Sequence, residues 1–156
     1  MPTNNHNLNP TIDIPENYRP SEQEAFMNPV MLEYFRQQLL SWKADVVKES
    51  QATLASLQQE SMAEPDITDR ASLETERALE LRTRDRLRKL ISQIDSALDR
   101  INDGSFGYCE DTGEPIGIAR LEARPIAKYS IEAQERHEKY ERTHRENAED
   151  DEAAEF

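Results

Sequence analysis

Residues 87–101 read LRKLISQIDSALDRI, and their large aliphatic side chains recur at the spacing of a coiled coil. The pattern steps by 4, 3, 4 and 3 residues through Leu87, Ile91, Ile94, Leu98 and Ile101. Upstream, an equivalent stripe steps by 4, 3 and 4 through Phe35, Leu39, Trp42 and Val46. Two helices with such stripes, joined by a short turn, pack as an antiparallel hairpin. The sequence therefore predicts a mainly α-helical fold whose largest part is a long antiparallel coiled-coil hairpin.

The first helix of this hairpin has recognisable limits. Asn28 can cap it and Pro29 suits its first turn, and good helix formers continue to about Met62. Pro65 then lacks a backbone donor and disfavours helix at the residue before it. We therefore expect the chain to reverse here, with the tip of the hairpin at residues 63–71.

Composition divides the rest of the chain. Residues 1–28 carry four prolines and predict a flexible or docked N-terminal segment, before a hairpin at 29–103 whose second helix spans about 69–101. All four glycines then fall within 14 residues, which predicts a knuckle of tight turns and two short strands, followed by a C-terminal helix. We assign residues 104–147 to this small zinc-finger-like domain, and 148–156 to an acidic disordered tail.

Charge and hydropathy exclude several classes of protein. The chain has 19 basic and 32 acidic residues, a net charge of -13, which disfavours nonspecific binding to nucleic-acid phosphates or anionic membranes. No apolar run is long enough to span a bilayer, and the N-terminus lacks the pattern of a secretion signal. One cysteine cannot form an intrachain disulfide. We expect a cytoplasmic protein.

The sequence also gives no sign of an enzyme. It contains no glycine-rich phosphate loop, no nucleophile elbow and no acid–base pair in a pocket-forming domain. The stretch HEKYE, which begins at His137, approaches the metalloprotease helix pattern but ends in Glu141 where a second histidine is needed. We predict that the protein is not an enzyme.

At the tip, Asp66 and Asp69 lie three residues apart, followed by Ala71. Carboxylates at a turn most often cap a helix, which is one interpretation. The other follows from their place at the end of an arm about 50 Å long, which can deliver two acidic groups into a cavity that a globular body cannot enter. There they would contact a metal ion or basic side chains.

A basic run on the second helix has two interpretations as well. It contains Arg82, Arg84, Arg86, Arg88 and Lys89. The run is either a solvated face paired with nearby acids such as Glu80 and Asp85, or a surface that docks on an acidic partner or an anionic ligand.

The knuckle has the spacing of a four-ligand zinc site without its ligands. The pairs Cys109 with Thr112 and Ser130 with Ala133 stand where two pairs of cysteines would be. Thr, Ser and Ala are not zinc ligands, so zinc is predicted absent and the knuckle must be held by burial of its apolar side chains. Cys109 is either a buried, inert thiol or a redox-sensitive one.

Taken together, these motifs resemble the DksA family of bacterial transcription factors, which includes the shorter TraR-like proteins. The resemblance covers roughly residues 27–141. It rests on D-x-x-D-x-A at 66–71, on LELRTRDRLRKLI at 79–91 and on FGYCEDTGEPIGIARLEARP at 106–125.

The resemblance implies that the hairpin enters the secondary channel of RNA polymerase, with Asp66, Asp69 and Ala71 near the catalytic magnesium. It further implies destabilisation of open complexes at promoters such as those for ribosomal RNA, with no sequence-specific DNA binding. Family members lacking the full cysteine set function without zinc, and we expect this chain to be one of them and a monomer.

The family acts with guanosine tetraphosphate (ppGpp) in the stringent response, and the nucleotide binds between factor and polymerase. By resemblance, Arg86, Leu90 and Arg124 belong to this ppGpp or polymerase interface. Gln93 and Gln134 replace lysines found in many members, so the response to ppGpp is expected but weakened. Two alternatives remain open: a Gre-like transcript cleavage factor, which carries a different C-terminal domain, and a non-catalytic coiled-coil adaptor.

Overall fold

The computed structural model describes the backbone of residues 12–60 and 67–154, and the side chains of 12–59 and 70–146. Within these residues the chain forms four helices, which are α1 (Pro29–Glu60), α2 (Ile67–Asp103), α3 (Ile118–Ala123) and α4 (Ile131–Ala154). The chain divides into two compact units, Met1–Ser92 and Gln93–Phe156. None of the described helices combines the length and the apolar character that crossing a membrane requires.

Helix α1 begins where the sequence predicts. The backbone N–H of Met31 donates to Oδ1 of Asn28 at 3.0 Å, and the N–H of Leu32 donates to the Asn28 carbonyl at 3.0 Å. Asn28 is therefore the N-cap and Pro29 the first helical residue, which confirms the predicted start. The helix is described as far as Glu60. The predicted end near Met62 lies outside the described residues.

The buried side of α1 confirms the predicted stripe. Four side chains of this helix are almost fully buried, namely Met31, Phe35, Leu39 and Val46, and Trp42 is half-buried. In the first unit, Leu87 of α2 is buried as well. Ser56 donates to Glu80 Oε1 at 3.3 Å and so connects the two helices 24 residues apart in the chain. The two arms form the expected hairpin.

Burial in the hairpin decreases toward the tip. On α2 the stripe continues through Arg84, Glu80 and Arg77, and all three are half-buried. Nε of Arg77 and Oε2 of Glu80 are buried without a hydrogen-bond partner among the described residues. Because an unpaired buried polar atom costs about 1–3 kcal/mol, this part of the hairpin is held less firmly than the part near Phe35.

Residues 12–28 lie against the start of α1. The ring of Tyr18 makes an edge contact with the ring of Tyr34, with centroids 5.8 Å apart, and Pro20 is buried. The hydroxyl of Tyr18 donates to Glu24 Oε2 at 2.9 Å. Burial, together with the nearby Glu24 carboxylate, raises the pKa of Tyr18 to about 12. The N-terminal segment is thus docked in its described part.

In the second unit, α2 ends in a glycine cap. Gly104 has φ 86°, and the N–H of Ser105 donates to the carbonyl of Arg100 at 3.0 Å. This is the Schellman arrangement, which needs a left-handed residue after the helix and therefore favours glycine. The core of the unit contains mainly small and aliphatic residues, namely Ile94, Ala97, Phe106, Cys109, Ile118, Leu121, Ala127 and Ala133.

Two predictions for the second unit were wrong. In place of two short strands, the described residues of the knuckle contain one antiparallel bridge, between Tyr108 and Pro115, and the six-residue helix α3. The sequence IARLEA has good helix formers but is too short to give a periodic signal. Helix α4 does not stop near Asn147 but continues to Ala154, because Glu and Ala in this stretch favour helix over a disordered tail.

Candidate functional site

The predicted tip residues lie at the edge of the described structure. Asp66 lies outside the described residues. Asp69 is in the first turn of α2, where a carboxylate favourably meets the helix dipole, and its side chain is not described. Ala71 is exposed on the same helix. The role of Asp66 and Asp69 as an acidic pair therefore stays a prediction.

The basic run on α2 forms an open surface, which we call the α2 basic surface (Arg82, Arg84, Arg86, Arg88 and Lys89). Arg84 is half-buried and the other four side chains are exposed. Among the described residues none of the five lies within 4.0 Å of a carboxylate, although Asp85 stands between them in sequence. The structure thus shows a solvated face without ion pairs to its own acids among the described residues, and its role in docking stays a prediction.

Exposed leucines lie beside these cations. Leu79 is 63% and Leu81 50% exposed, which is unusual for aliphatic side chains on a helix with one buried stripe. Arg88, Lys89 and Ser92 line a shallow concavity of about 400 Å³ together with Asp85. Unpaired cations beside exposed leucines are suited to contact with a protein that offers acidic and apolar groups.

The other predicted interface residues are placed separately in the two units. Leu90 is half-buried on α2 in the first unit. Arg124 is exposed in the second, where it ends α3: its N–H donates to the carbonyl of Arg120 at 2.7 Å, and its own carbonyl accepts from the N–H of Ala127 at 3.0 Å. The backbone of Arg124 is thus fixed on both sides while its side chain is free to meet a ligand.

The two glutamines for which the resemblance implies lysines in many family members differ in their surroundings. Gln93 is exposed on α2. Gln134 is half-buried on α4, and its Nε2 donates to Glu138 Oε1 at 2.9 Å. Neither carries the positive charge that would attract a phosphate.

Three of the four predicted zinc-site positions come together in the knuckle. The sulfur of Cys109 accepts hydrogen bonds from the backbone N–H groups of Asp111, Thr112 and Ser130 and from the hydroxyl of Thr112. The fourth position, Ala133, is fully buried, and its N–H donates to Ser130 Oγ at 3.3 Å. Hydrogen bonds to the Cys109 sulfur thus connect the turn that contains Thr112 with the turn that begins at Ser130.

These hydrogen bonds change the acidity of the thiol. Burial raises the pKa of Cys109, since it disfavours the charged form, but the four donors stabilise the thiolate and together lower the pKa from 9.0 to about 6. Cys109 is only 2% exposed. The hydrogen bonds therefore favour the thiolate form of a side chain that is shielded from solvent.

Several contacts of the knuckle have no counterpart in the sequence predictions. His137 Nε2 lies 2.7 Å from Asp111 Oδ2, and the His137 ring stacks on Tyr129 with centroids 4.4 Å apart. Arg100 is 8% exposed and donates from Nη2 to the Ile126 carbonyl. These residues are far apart in sequence and follow no metal-site or helical spacing, so no sequence signal pairs them.

Two family models match this chain. One, described as the N-terminal domain of DnaK suppressor protein DksA, matches residues 31–101. The other, described as the prokaryotic dksA/traR C4-type zinc finger, matches residues 104–139. The residues present do not fit zinc, because Ala133 has no donor atom and the described residues contain no group of three or more His, Cys, Asp or Glu able to hold a metal ion.

Named relatives match most of the chain. It is 65% identical over 130 residues to the RNA polymerase-binding transcription factor DksA of Caulobacter vibrioides (strain NA1000 / CB15N), a match that covers 83% of this chain and 92% of that protein. It is 44% identical over 117 residues to the protein of the same name from Escherichia coli (strain K12), covering 75% and 78%.

A solved structure agrees with these relatives. Transcription factor DksA2 from Pseudomonas aeruginosa matches with a TM-score of 0.71 and 38% identity, over 76% of this chain and 91% of DksA2. Both the sequence and the arrangement of helices are therefore shared, and this chain belongs to the DksA family.

Proposed function

We propose that this chain binds RNA polymerase and regulates transcription initiation, without catalysing a reaction of its own. RNA polymerase is supported as the partner because the relatives of this chain are named RNA polymerase-binding transcription factors. The observation that carries the proposal for this chain is the α2 basic surface, whose five cations have no carboxylate partners within the described residues. A surface of this kind favours a large protein partner with acidic groups, and its charges speed the encounter.

In this proposal the hairpin enters the secondary channel of the polymerase. Helix α1 has 32 residues, which at 1.5 Å per residue gives an arm of about 50 Å. Two packed helices are narrow enough to enter a channel that excludes a globular domain. The tip would then present Asp66, Asp69 and Ala71 near the catalytic centre.

Regulation then follows from a shift between polymerase states. The factor needs only to bind the state that precedes the open complex better than the open complex itself. A difference in binding free energy of about 1.4 kcal/mol changes the ratio of the two states tenfold. Promoters with short-lived open complexes, such as those for ribosomal RNA, would respond most, because little stability separates their two states.

The nucleotide ppGpp is the proposed effector at the polymerase interface, as part of the stringent response. Arg86 and Arg124 are exposed cations suited to its phosphates, and Leu90 offers an apolar contact. Gln93 and Gln134 remove two cations that many family members have, so we expect a weakened response. We further propose that the protein acts as a cytoplasmic monomer, without structural zinc and without reading DNA sequence.

The proposal is tested by transcription from a ribosomal RNA promoter with purified polymerase, with and without ppGpp. We expect repression by the wild-type chain, and a weaker effect when Arg82→Gln and Arg86→Gln are combined, with an affinity loss of roughly three- to tenfold that grows at low salt. The matched control combines Arg142→Gln with Arg145→Gln, which also removes two charges, since both side chains are exposed on α4 and neither has a hydrogen bond or ion pair among the described residues.

Other outcomes of the same experiments identify the alternatives. Release of short RNA from a backtracked complex would identify a Gre-like cleavage factor, because only that class assists hydrolysis of the transcript. Failure to bind core polymerase at all would leave the coiled-coil adaptor.

A further inference from the structure

The backbone that follows α3 is held by donors from outside it. We call residues 124–129 the Arg124 loop. Three of its carbonyl groups accept a hydrogen bond from elsewhere in the second unit: Ile126 from Nη2 of Arg100 at 3.4 Å, Lys128 from the N–H of Glu110 at 2.9 Å, and Tyr129 from Nε of Arg120 at 3.0 Å. A loop of six residues is therefore fixed at three points, two of them by arginine side chains.

Arg120 holds both ends of the Arg124 loop. Its carbonyl accepts from the N–H of Arg124 at 2.7 Å, and its guanidinium donates to the carbonyl of Tyr129 at 3.0 Å. One contact uses the backbone of Arg120 and the other its side chain. The first and last residues of the loop are therefore both hydrogen-bonded to the same residue of α3. Loss of this side chain would remove the contact at Tyr129 and leave the loop held from outside at Ile126 and Lys128, so the whole loop, including the turn from Arg124 to Ala127, would be held less firmly.

Arg100 holds the middle of the loop from a buried position. It is 8% exposed, and its Nη1 donates to Ser96 Oγ at 3.1 Å while Nη2 reaches the Ile126 carbonyl. A buried guanidinium is stable only when its donors are paired, and burial lowers its pKa. The side chain is thus anchored within its own helix, and it ties the turn after Arg124 to that helix.

Because the knuckle lacks the ligands for a metal ion, its two turns depend on hydrogen bonds such as these to stay together. In a C4-type finger, four thiolates and one metal ion join the two turns of the knuckle. Here the two turns are joined by the Ser130 N–H that donates to the Cys109 sulfur and by the Glu110 N–H that donates to the Lys128 carbonyl. The neighbouring residue Tyr129 is held instead by Arg120.

We infer that Arg120 and Arg100 are positioning residues, which hold the Arg124 loop in one conformation and so fix the place from which the exposed Arg124 side chain meets its ligand. The effect of this positioning on ppGpp binding rests on the proposed function of Arg124. Because the loop is fixed before binding, Arg124 needs little ordering when a phosphate arrives, and this favours affinity.

The test compares Arg120→Gln with Arg142→Gln in the full chain. Both remove one positive charge from the second unit, but only the first removes a donor to the loop. We expect Arg120→Gln to speed amide hydrogen exchange of Ala127 and Glu110 roughly two- to tenfold, as the loss of one hydrogen bond implies. The ppGpp concentration for half-maximal effect should rise by a similar factor, with repression in the absence of ppGpp unchanged.

Conservative variants keep the test decisive if Arg120→Gln does not fold. Arg120→Lys keeps the positive charge and a hydrogen-bond donor group. Amide exchange in this variant should therefore be slower than in Arg120→Gln, and its ppGpp response should be closer to that of the wild type. Arg100→Lys should speed exchange at Ala127 as well, since one ammonium group cannot serve Ser96 and Ile126 in the same geometry.

Two results would overturn the inference. The first is wild-type exchange at Ala127 and Glu110 in Arg120→Gln. The second is faster exchange with an unchanged ppGpp response, provided that Arg124→Ala abolishes that response. If Arg124→Ala itself leaves the ppGpp response intact, the proposed function of Arg124 fails, and the exchange rates alone decide whether Arg120 and Arg100 hold the loop.

Discussion

Replacing Leu39 by alanine tests the packing on which the hairpin depends. Leu39 is fully buried on α1. Truncating a buried leucine loses transfer free energy and leaves a cavity, with a cost of about 2–5 kcal/mol. We take about 3 kcal/mol for this site. With a urea dependence of about 2 kcal/mol per molar, the unfolding midpoint should fall by about 1.5 M.

The next residue along the helix provides a matched control. Leu40 is 41% exposed, and Leu40→Ala makes the same chemical change in the same helix. Its partial burial is worth only about 1 kcal/mol and no closed cavity forms, so the midpoint should fall by about 0.5 M. Equal shifts for the two variants in urea unfolding followed by circular dichroism would refute the assignment of the buried stripe.

Three further predictions concern the knuckle and the tip. The folded state lowers the pKa of Cys109 from 9.0 to about 6, so the thiolate contributes stability that is fully present above about pH 9 and is lost as the pH falls through 6. Ultraviolet titration of this single thiol should therefore show a midpoint near 6. A midpoint near 9 would contradict the hydrogen bonding to the sulfur. Excess chelator should leave helicity and repression unchanged, because the knuckle lacks metal ligands; loss of either on metal removal counts against this. Asp69→Asn should keep polymerase affinity nearly unchanged but abolish the effect on a ribosomal RNA promoter; equal loss of binding and effect would make Asp69 a docking or capping residue.

The hairpin could be predicted because its signals are local and repeated. The stripe through Phe35 and Leu39 recurs at helical spacing, and the Asn28 cap with Pro29 marks a start within one turn. Each signal is read from neighbouring residues alone, without knowledge of the partner surface. Similarly, Cys109, Thr112, Ser130 and Ala133 have the spacing of a two-knuckle zinc site, which could be read from the sequence without knowledge of the fold.

The rest of the second unit could not be predicted, for two physical reasons. Helix α3 has six residues, fewer than two turns, so its apolar residues cannot establish a period. Arg100 and Arg120 donate to backbone carbonyls 26 and 9 residues away, and every residue offers a carbonyl, so the side-chain sequence does not indicate which one is used. The end of α4 could not be located because the acidic residues after Asn147 are equally compatible with a solvated tail and with a helix whose side chains are in solvent.

The burial of the only thiol makes it a reporter of rare openings. A small alkylating reagent can reach a side chain that is 2% exposed only while the surrounding turns are separated. The rate at which Cys109 is alkylated under native conditions therefore counts how often the knuckle opens. Because the chain has one cysteine, a single mass shift records each event without the need for an introduced label.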